Sequence, residues 1–294
     1  MRISWFRTER FILHIEPHAL RGMMALGKTP RRWASAPLPE GTLHNDTVAR
    51  PDAFVGAVRE LREQLDTRMS GVHVSLRQRR AILRLLNLPD VPDKLLDEAV
   101  RREARREFPL SPQELYLSWK KLDGSPAGQG GVFAVGIPRS AVDTYANVLK
   151  KAGLKPLSLD LKSLALARAV NQRHVLVLDV EPWAAQIILV QGFVPCMVRV
   201  LNRTAQASLS EEATQLMSEI QRVINYCKSN LRNAASEVTP RLSLTGSSPN
   251  LDELAQILGQ RWDLVDPSPP VPLSEDFPLL TYLVNLGVML KEVG

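Results

Sequence analysis

Cysteine is nearly missing from this chain: Cys196 and Cys227 are the two present in 294 residues. That excludes a small secreted scaffold held by disulfides, and with no CxxC pair or His/Cys cluster no structural zinc site is expected. Long apolar runs are missing too. Leu176–Val190 is broken by Asp179, Glu181 and Gln186, and Leu279–Leu290 by Asn285. Neither approaches the roughly 20 apolar residues that a membrane-spanning helix needs. The opening MRISWFRTER is charged and leads into no long apolar stretch, so no secretory signal is expected. Nor does one sign of charge dominate. With 37 Lys plus Arg against 31 Asp plus Glu, the net +6 only slightly favours an anionic partner. What is present is a 45% hydrophobic composition, typical of a globular protein, and length for about two domains at roughly 100–200 residues each. The expected compartment is the reducing cytosol.

Local patterns give an α/β reading. Strands are expected at Phe11–Ile15, Leu20–Leu26 and, more weakly, Arg31–Leu38. Phe54, Val58, Leu61 and Leu65 recur at helical spacing over Pro51–Arg68, with Pro51 suited to a first turn. Gly71–Leu76 alternates as a strand, Pro92–Phe108 is helical, Leu115–Trp119 and Val132–Ile137 are strands around a loop at Gly124–Gly131, and a helix runs from Ser140 to Gly153. Residues 72–152 therefore read β-α-β-β-α. After Leu157–Leu161 and a short helix through Val170 come strands Val175–Val180, Ala184–Val190 and Val194–Leu201. A long helix, Ser210–Leu231, carries the stripe Leu216, Ile220, Val223, Ile224, Cys227. Strand Arg241–Thr245, helix Pro249–Leu258, strand Asp263–Val265 and a last helix near Pro278–Glu292 complete the reading.

The chain repeats its own opening. Ile15-Glu16-Pro17-His18-Ala19 aligns with Val180-Glu181-Pro182-Trp183-Ala184 at an offset of 165 residues, and the same offset carries Gly27 onto Gly192. Each copy runs strand, sharp turn, strand, glycine turn, strand, long helix. Two related β-β-β-α halves with a smaller insertion in the first are the plan of an actin-like fold, each half RNase H-like. The expected division is 1–71 with 153–171 as the first half, 72–152 as the insertion and 172–294 as the second half.

Several stretches resemble PilM, the actin-like protein of type IV pilus assembly and a relative of the cell-division protein FtsA. They are Leu88–Leu122, Ala152–Val170, Glu219–Cys227 (EIQRVINYC), Leu242–Leu258 and the closing LVNLGVML at Leu283–Leu290. The resemblance implies a cytoplasmic protein, peripheral at the inner membrane. Its expected partner is the short cytoplasmic N-terminal tail of a bitopic PilN-like protein, bound in a groove between the first half and the 72–152 insertion, with the assembly ATPase as a further partner. Some relatives bind ATP with Mg²⁺ between their halves.

Actin-like ATPases hold phosphates with an Asp-hydrophobic-Gly turn in each half. The glycine lets backbone N–H groups approach, and the aspartate organises Mg²⁺ and water. Here the turns read His14-Ile15-Glu16 and Asp179-Val180-Glu181, so both glycines are glutamate and Asp179 alone survives of the two aspartates. A carboxylate facing phosphate at ~4 Å repels it by about 1 kcal/mol in water and several-fold more in a semi-enclosed cleft. On the adenosine side the resemblance maps Gly246-Ser247-Ser248 onto the glycine turn near the base, and Glu219 with Arg222 onto an ExxK/R pair for ribose and adenine. Asp179, Glu219, Arg222, Gly246 and Ser247 are thus expected as a vestigial nucleotide site, with no cofactor as the first reading, Mg·ATP as the alternative, and no enzymatic activity. Trp183 is expected to plug the phosphate pocket.

The sequence also offers two rival classes. Arg77, Arg79, Arg80, Arg84, Arg101, Arg102, Arg105 and Arg106 crowd one region, and Gln78–Asn87 with Pro92–Phe108 would make a helix-turn-helix DNA reader. Asp90, Asp93, Asp97, Glu98, Glu103 and Glu107 interleave with them, which favours a solvated, ion-paired face, next an acidic lipid or protein contact, and no nucleic acid. A hydrolase built on Asp66, Ser70, His73 and Ser75 lacks any GxSxG elbow or HExxH motif. His14, His18, His44, His73 and His174 read as structural or exposed.

Overall fold

In a computed structural model of the chain, residues 8–44, 47–77, 81–89, 91–122, 129–203, 208–230 and 241–291 are described, without the side chains of 129–130 and 227–230. Arg79, Arg80, Asp90, Leu231, Glu292, the Cys227 side chain and most of the Gly124–Gly131 loop lie outside that set. The chain divides into two compact units: Ala25–Pro30 and Lys162–Gly294 fall in one, Glu9–Met24 and Arg31–Leu161 in the other.

In the second of these, β1 (Glu9–Ile15), β2 (Ala19–Leu26) and β3 (Thr29–Pro37) are neighbours in order. The short pair β4 (Leu43–His44) and β5 (Thr47–Val48) precedes helix α1 (Pro51–Gln64). Proline in the first turn of α1 loses no hydrogen bond, and Phe54, Val58, Leu61 and the following Leu65 bury one stripe against β1 residues Phe11, Leu13 and Ile15. Strand β6 (Gly71–Leu76) runs parallel to β1, with Val72 opposite Phe11 and Leu76 opposite Ile15. Then come β7 (Ile82–Pro89), α2 (Asp93–Glu107), β8 (Leu115–Lys121), β9 (Gln129–Pro138), α3 (Arg139–Lys151) and β10 (Lys155–Leu161). The five-stranded sheet has the order β10-β6-β1-β2-β3, and β7-β9-β8 form a separate three-stranded sheet.

The other unit holds α4 (Lys162–Val170), β11 (His174–Glu181), β12 (Ala184–Gln191), β13 (Val194–Asn202), α5 (Leu209–Asn230), β14 (Leu242–Gly246), α6 (Leu251–Gly259) and α7 (Leu279–Met289). Its sheet is β13-β12-β11-β14, with β14 parallel to β11. The duplication is visible residue by residue: Glu9 and His174, Ala19 and Ala184, Thr29 and Val194, and Pro37 and Asn202 bound equivalent strands and are each 165 residues apart. In both sheets the fourth strand lies parallel beside the first.

The insertion differs from its expected limits. Gly71–Leu76 belongs to the five-stranded sheet, and the insertion's first strand is β7, in the segment read above as a basic stretch or a DNA-reading helix. Because β7 pairs along its length with β9, Ile82 opposite Gly136 and Leu88 opposite Gly130, no helix-turn-helix exists there. Helix α3 returns to the first sheet, its Tyr145, Val148 and Leu149 packing in one core with Phe11, Leu13 and Val58. Helix α4, assigned above to the first half, packs on α7 in the other unit, where a Cβ at Gly287 would stand 1.9 Å from the Ala165 carbonyl oxygen. Asp263–Val265 forms a single bridge, Leu264 with Leu242, rather than a strand.

The β12–β13 turn places Gly192 at φ +59° and Phe193 at φ +66°. Both central residues of a type I′ hairpin are left-handed, which suits Asn or Gly and strains a side chain as bulky as phenylalanine. Phe193 is 54% exposed, so little packing offsets the strain. Phe193→Asn is expected to raise stability by about 0.5–1 kcal/mol, measurable by urea unfolding.

Candidate functional site

The sharp bends that close the first hairpin of each repeat both end in buried glutamate. In the second copy, Glu181 closes β11 and is 5% exposed. Lys162, the first residue of α4 and 3% exposed, sits with its Nζ 2.8 Å from Glu181 Oε1 and 2.7 Å from Asp179 Oδ2. Thr245 Oγ1 donates to Asp179 Oδ1 at 3.1 Å, and the Ser247 hydroxyl donates to Glu181 Oε2. One ammonium therefore answers two carboxylates in a nearly dry place, and each carboxylate keeps a hydroxyl partner as well. Burial of charge is tolerable only with such pairing.

The glycine turn after β14 is tied to the same bend. The N–H groups of Ser247 and Ser248 both donate to the Val180 carbonyl, at 3.1 and 3.0 Å. Gly246 reaches this position at φ +114°, and a Cβ there would stand 2.2 Å from Val180 O. Arg203, just beyond β13, completes the cluster. Its Nη1 donates to Glu181 O at 2.6 Å and Ser248 Oγ at 2.9 Å, and its Nη2 to Glu212 Oε2 at 2.7 Å on the first turn of α5. That turn is fixed by a reciprocal cap, the Ser208 N–H and hydroxyl donating to Glu211, which holds the Glu211 carboxyl below its usual range.

The sequence-expected residues thus fall in two places. Asp179, Gly246 and Ser247 come together around Glu181. Glu219 and Arg222 lie two turns further along α5 from Glu212, paired at 2.5 Å, with Arg199 Nε also 2.5 Å from Glu219. With Ser210, Thr214 and Ser218 they line an open hollow of about 500 Å³ along α5. Lys162, Arg203, Thr245 and Glu212 were not anticipated. Lys162 had a signal, a lysine set in the apolar run Leu157–Val170; Arg203 had none. Trp183 is only half-buried and gives its carbonyl to the Arg203 N–H; the group that meets the Glu181 carboxylate is the Lys162 ammonium, not the indole.

The first copy, in its own unit, follows the same logic. Glu16 is 1% exposed, with Oε2 2.5 Å from Arg21 Nη1 on β2 and Oε1 3.0 Å from His14 Nε2. Here the cation comes from the neighbouring strand instead of a helix. Of the other histidines, His73 is buried with Nδ1 2.8 Å from Ser158 Oγ, while His18, His44 and His174 are exposed. Asp66 is exposed and Ser75 wholly buried, so the hydrolase grouping is dispersed. Among the described residues, no group of three or more His, Cys, Asp or Glu is placed to hold a metal ion, and no helix is long and apolar enough to cross a membrane.

A duplicated strand plan with paired bends defines an actin-like α/β protein. The same fold is seen in a Bacteroides thetaiotaomicron protein with an actin-like ATPase fold, at 8% identity over 99% of this chain and 100% of that one with a TM-score of 0.53. It is also seen in the cytoplasmic domain of EpsL, an inner-membrane component of the Vibrio cholerae type II secretion system, at 12% identity over 97% of both chains with a TM-score of 0.55. The family model for the type IV pilus assembly protein PilM matches residues 29–207, more than half of the sequence, and the chain belongs to that family. A solved PilM–PilN type IV pilus biogenesis complex superposes with a TM-score of 0.74 at 26% identity, over 97% of this chain and 98% of that one. No curated protein sequence matches the chain.

The fold implies Mg²⁺ and ATP, and the residues at the bends do not fit them. Four donors beside the β11 bend are directed to protein acceptors: Lys162 to two carboxylates, Ser247 to Glu181, and the Ser247 and Ser248 N–H groups to Val180. Phosphate would have to displace Glu181 from its lysine and then lie beside the displaced charge. The positive φ of Gly246 answers a contact with Val180, so this glycine is needed by the fold without any ligand.

Proposed function

We propose that this chain is a nucleotide-independent adaptor of type IV pilus assembly, binding the cytoplasmic N-terminal tail of a PilN-like membrane protein and so held at the inner face of the membrane. The observation that carries the first part is the internal cation on each bend glutamate, Lys162 on Glu181 and Arg21 on Glu16. A protein built this way keeps the actin-like body as a frame and needs no phosphoryl chemistry. The partner reading is supported by the family match and by the solved PilM–PilN complex, which resembles this chain over nearly its whole length.

Calorimetric titration tests both parts. Mg·ATP is expected to give no saturable heat up to about 1 mM, a ceiling corresponding to ~4 kcal/mol of binding free energy. A synthetic peptide of the N-terminal tail of the PilN-like protein is expected to bind with micromolar affinity. Micromolar Mg·ATP binding would overturn nucleotide independence, and a peptide that gives no heat and is not retained on the immobilised protein would overturn the adaptor reading.

A further inference from the structure

Helix α2 of the insertion sorts its charges by face. Leu96, Ala99, Val100 and Ala104 face the three-stranded sheet. The acidic residues Asp93 and Asp97 lie on the flank toward β8 and are engaged there: Asp93 Oδ1 accepts from Lys121 Nζ at 2.9 Å, and Asp97 accepts from Trp119 Nε1 at 2.9 Å and from Arg101 Nε at 2.7 Å. Arg101's hydrogen bond, and after it that of Trp119, holds the Asp97 carboxyl below its usual range. Glu103 lies on the opposite flank, 3.6 Å from Arg106. The outward stripe, at helical spacing, holds Lys94, Glu98, Arg101, Arg102, Arg105 and Arg106, all exposed, while Glu107, also exposed, ends the helix off that stripe. Lys94, Arg102 and Arg105 make no hydrogen bond or ion pair among the described residues. Leu95 stands among them, 46% exposed.

We infer that this face of α2 rests on an anionic phospholipid surface. The complementarity is of charge and of shape. Lys94, Arg102 and Arg105, with Glu98 the acid among them and the ion-paired Arg101 and Arg106 beside them, lie along a helix of about 22 Å, a convex strip suited to a plane of headgroups, with a leucine placed to enter the interfacial layer. An acidic peptide would need a groove or an open strand edge beside the arginines, and α2 offers a ridge. The inference does not depend on the PilN reading, since the probe is a bilayer without protein.

Co-sedimentation of the full chain with phosphatidylcholine vesicles containing about 30% phosphatidylglycerol tests it. Binding is expected at low salt, lost by about 0.5 M NaCl and absent on pure phosphatidylcholine. Arg102→Glu with Arg105→Glu should lower the bound fraction about tenfold or more while leaving the melting temperature unchanged. Arg59→Glu with Lys150→Glu, the same change in net charge at exposed positions on α1 and α3, should leave binding as it was. Equal binding to neutral vesicles, no binding to anionic ones, indifference to the α2 reversal, an equal loss in the control variant, or tighter binding to a short DNA duplex would each overturn the assignment.

Discussion

Replacing Lys162 with methionine is expected to destabilise the protein by about 3–5 kcal/mol, because removing one partner of a buried ion pair leaves the other charges uncompensated. Here two carboxylates, Asp179 and Glu181, are left, each at most 5% exposed. At about 2–4 °C per kcal/mol for a body of this size, the thermal midpoint should fall by roughly 10 °C. Adding Glu181→Gln to Lys162→Met should recover part of the loss, since the amide keeps a hydrogen bond to Ser247 without a buried charge. A double-mutant cycle over the four proteins then reports the pair directly. A midpoint shift under about 2 °C in the single variant would mean the lysine is not committed to these carboxylates, and the bend would then be free to accept an anion.

This result bears on what the two bend glutamates do. Replacing glycine by glutamate at a phosphate turn would by itself leave a buried charge in search of a partner. Reading the sequence as two carboxylates that repel a ligand captures the sign of the effect but not its means. In each copy the glutamate turns onto an internal cation, and the two cations are not equivalent by sequence position. Arg21 follows Glu16 by five residues on the next strand, whereas Lys162 precedes Glu181 by nineteen and arrives on a helix. The two copies share the acceptor and differ in the donor.

The strand plan was legible because its signals are local. Alternation in Gly71–Leu76, the apolar run of β11 and the matched Glu-Pro bends give element types and order, and the 165-residue offset holds at the strand starts. Strand β7 was hidden. Its apolar residues Ile82, Leu83, Leu85, Leu86 and Leu88 follow no period of two, because the face away from α2 keeps Leu85 exposed instead of polar, and arginines before and within it imitate a basic helix. The candidate site was half legible. Asp179, Gly246 and Ser247 could be named through the family resemblance, while Lys162 and Arg203 act across the fold, and only Lys162, a lysine in an apolar run, leaves a trace in the sequence. Glu219 and Arg222 could be named as a pair, yet pairing on one helix face is equally what a surface salt bridge requires.

Gly246 separates a ligand-serving glycine from a fold-serving one. Gly246→Ala is expected to cost about 3 kcal/mol or more without any nucleotide present: left-handed backbone alone costs a residue with a Cβ about 1–3 kcal/mol, and the remainder comes from moving Val180 out of contact. The added carbon would start 2.2 Å from the Val180 oxygen, and that oxygen also accepts from Ser247 and Ser248, so relieving the clash loosens both turn hydrogen bonds and the Ser247 contact with Glu181. Thermal melting and urea unfolding of the free protein measure the effect. Were the glycine kept only so that a nucleotide could approach the backbone, the variant would melt with the parent and differ solely in ligand affinity. A loss of stability in the unliganded protein places the turn with Lys162 and Arg203, as part of a bend whose chemistry is directed inward.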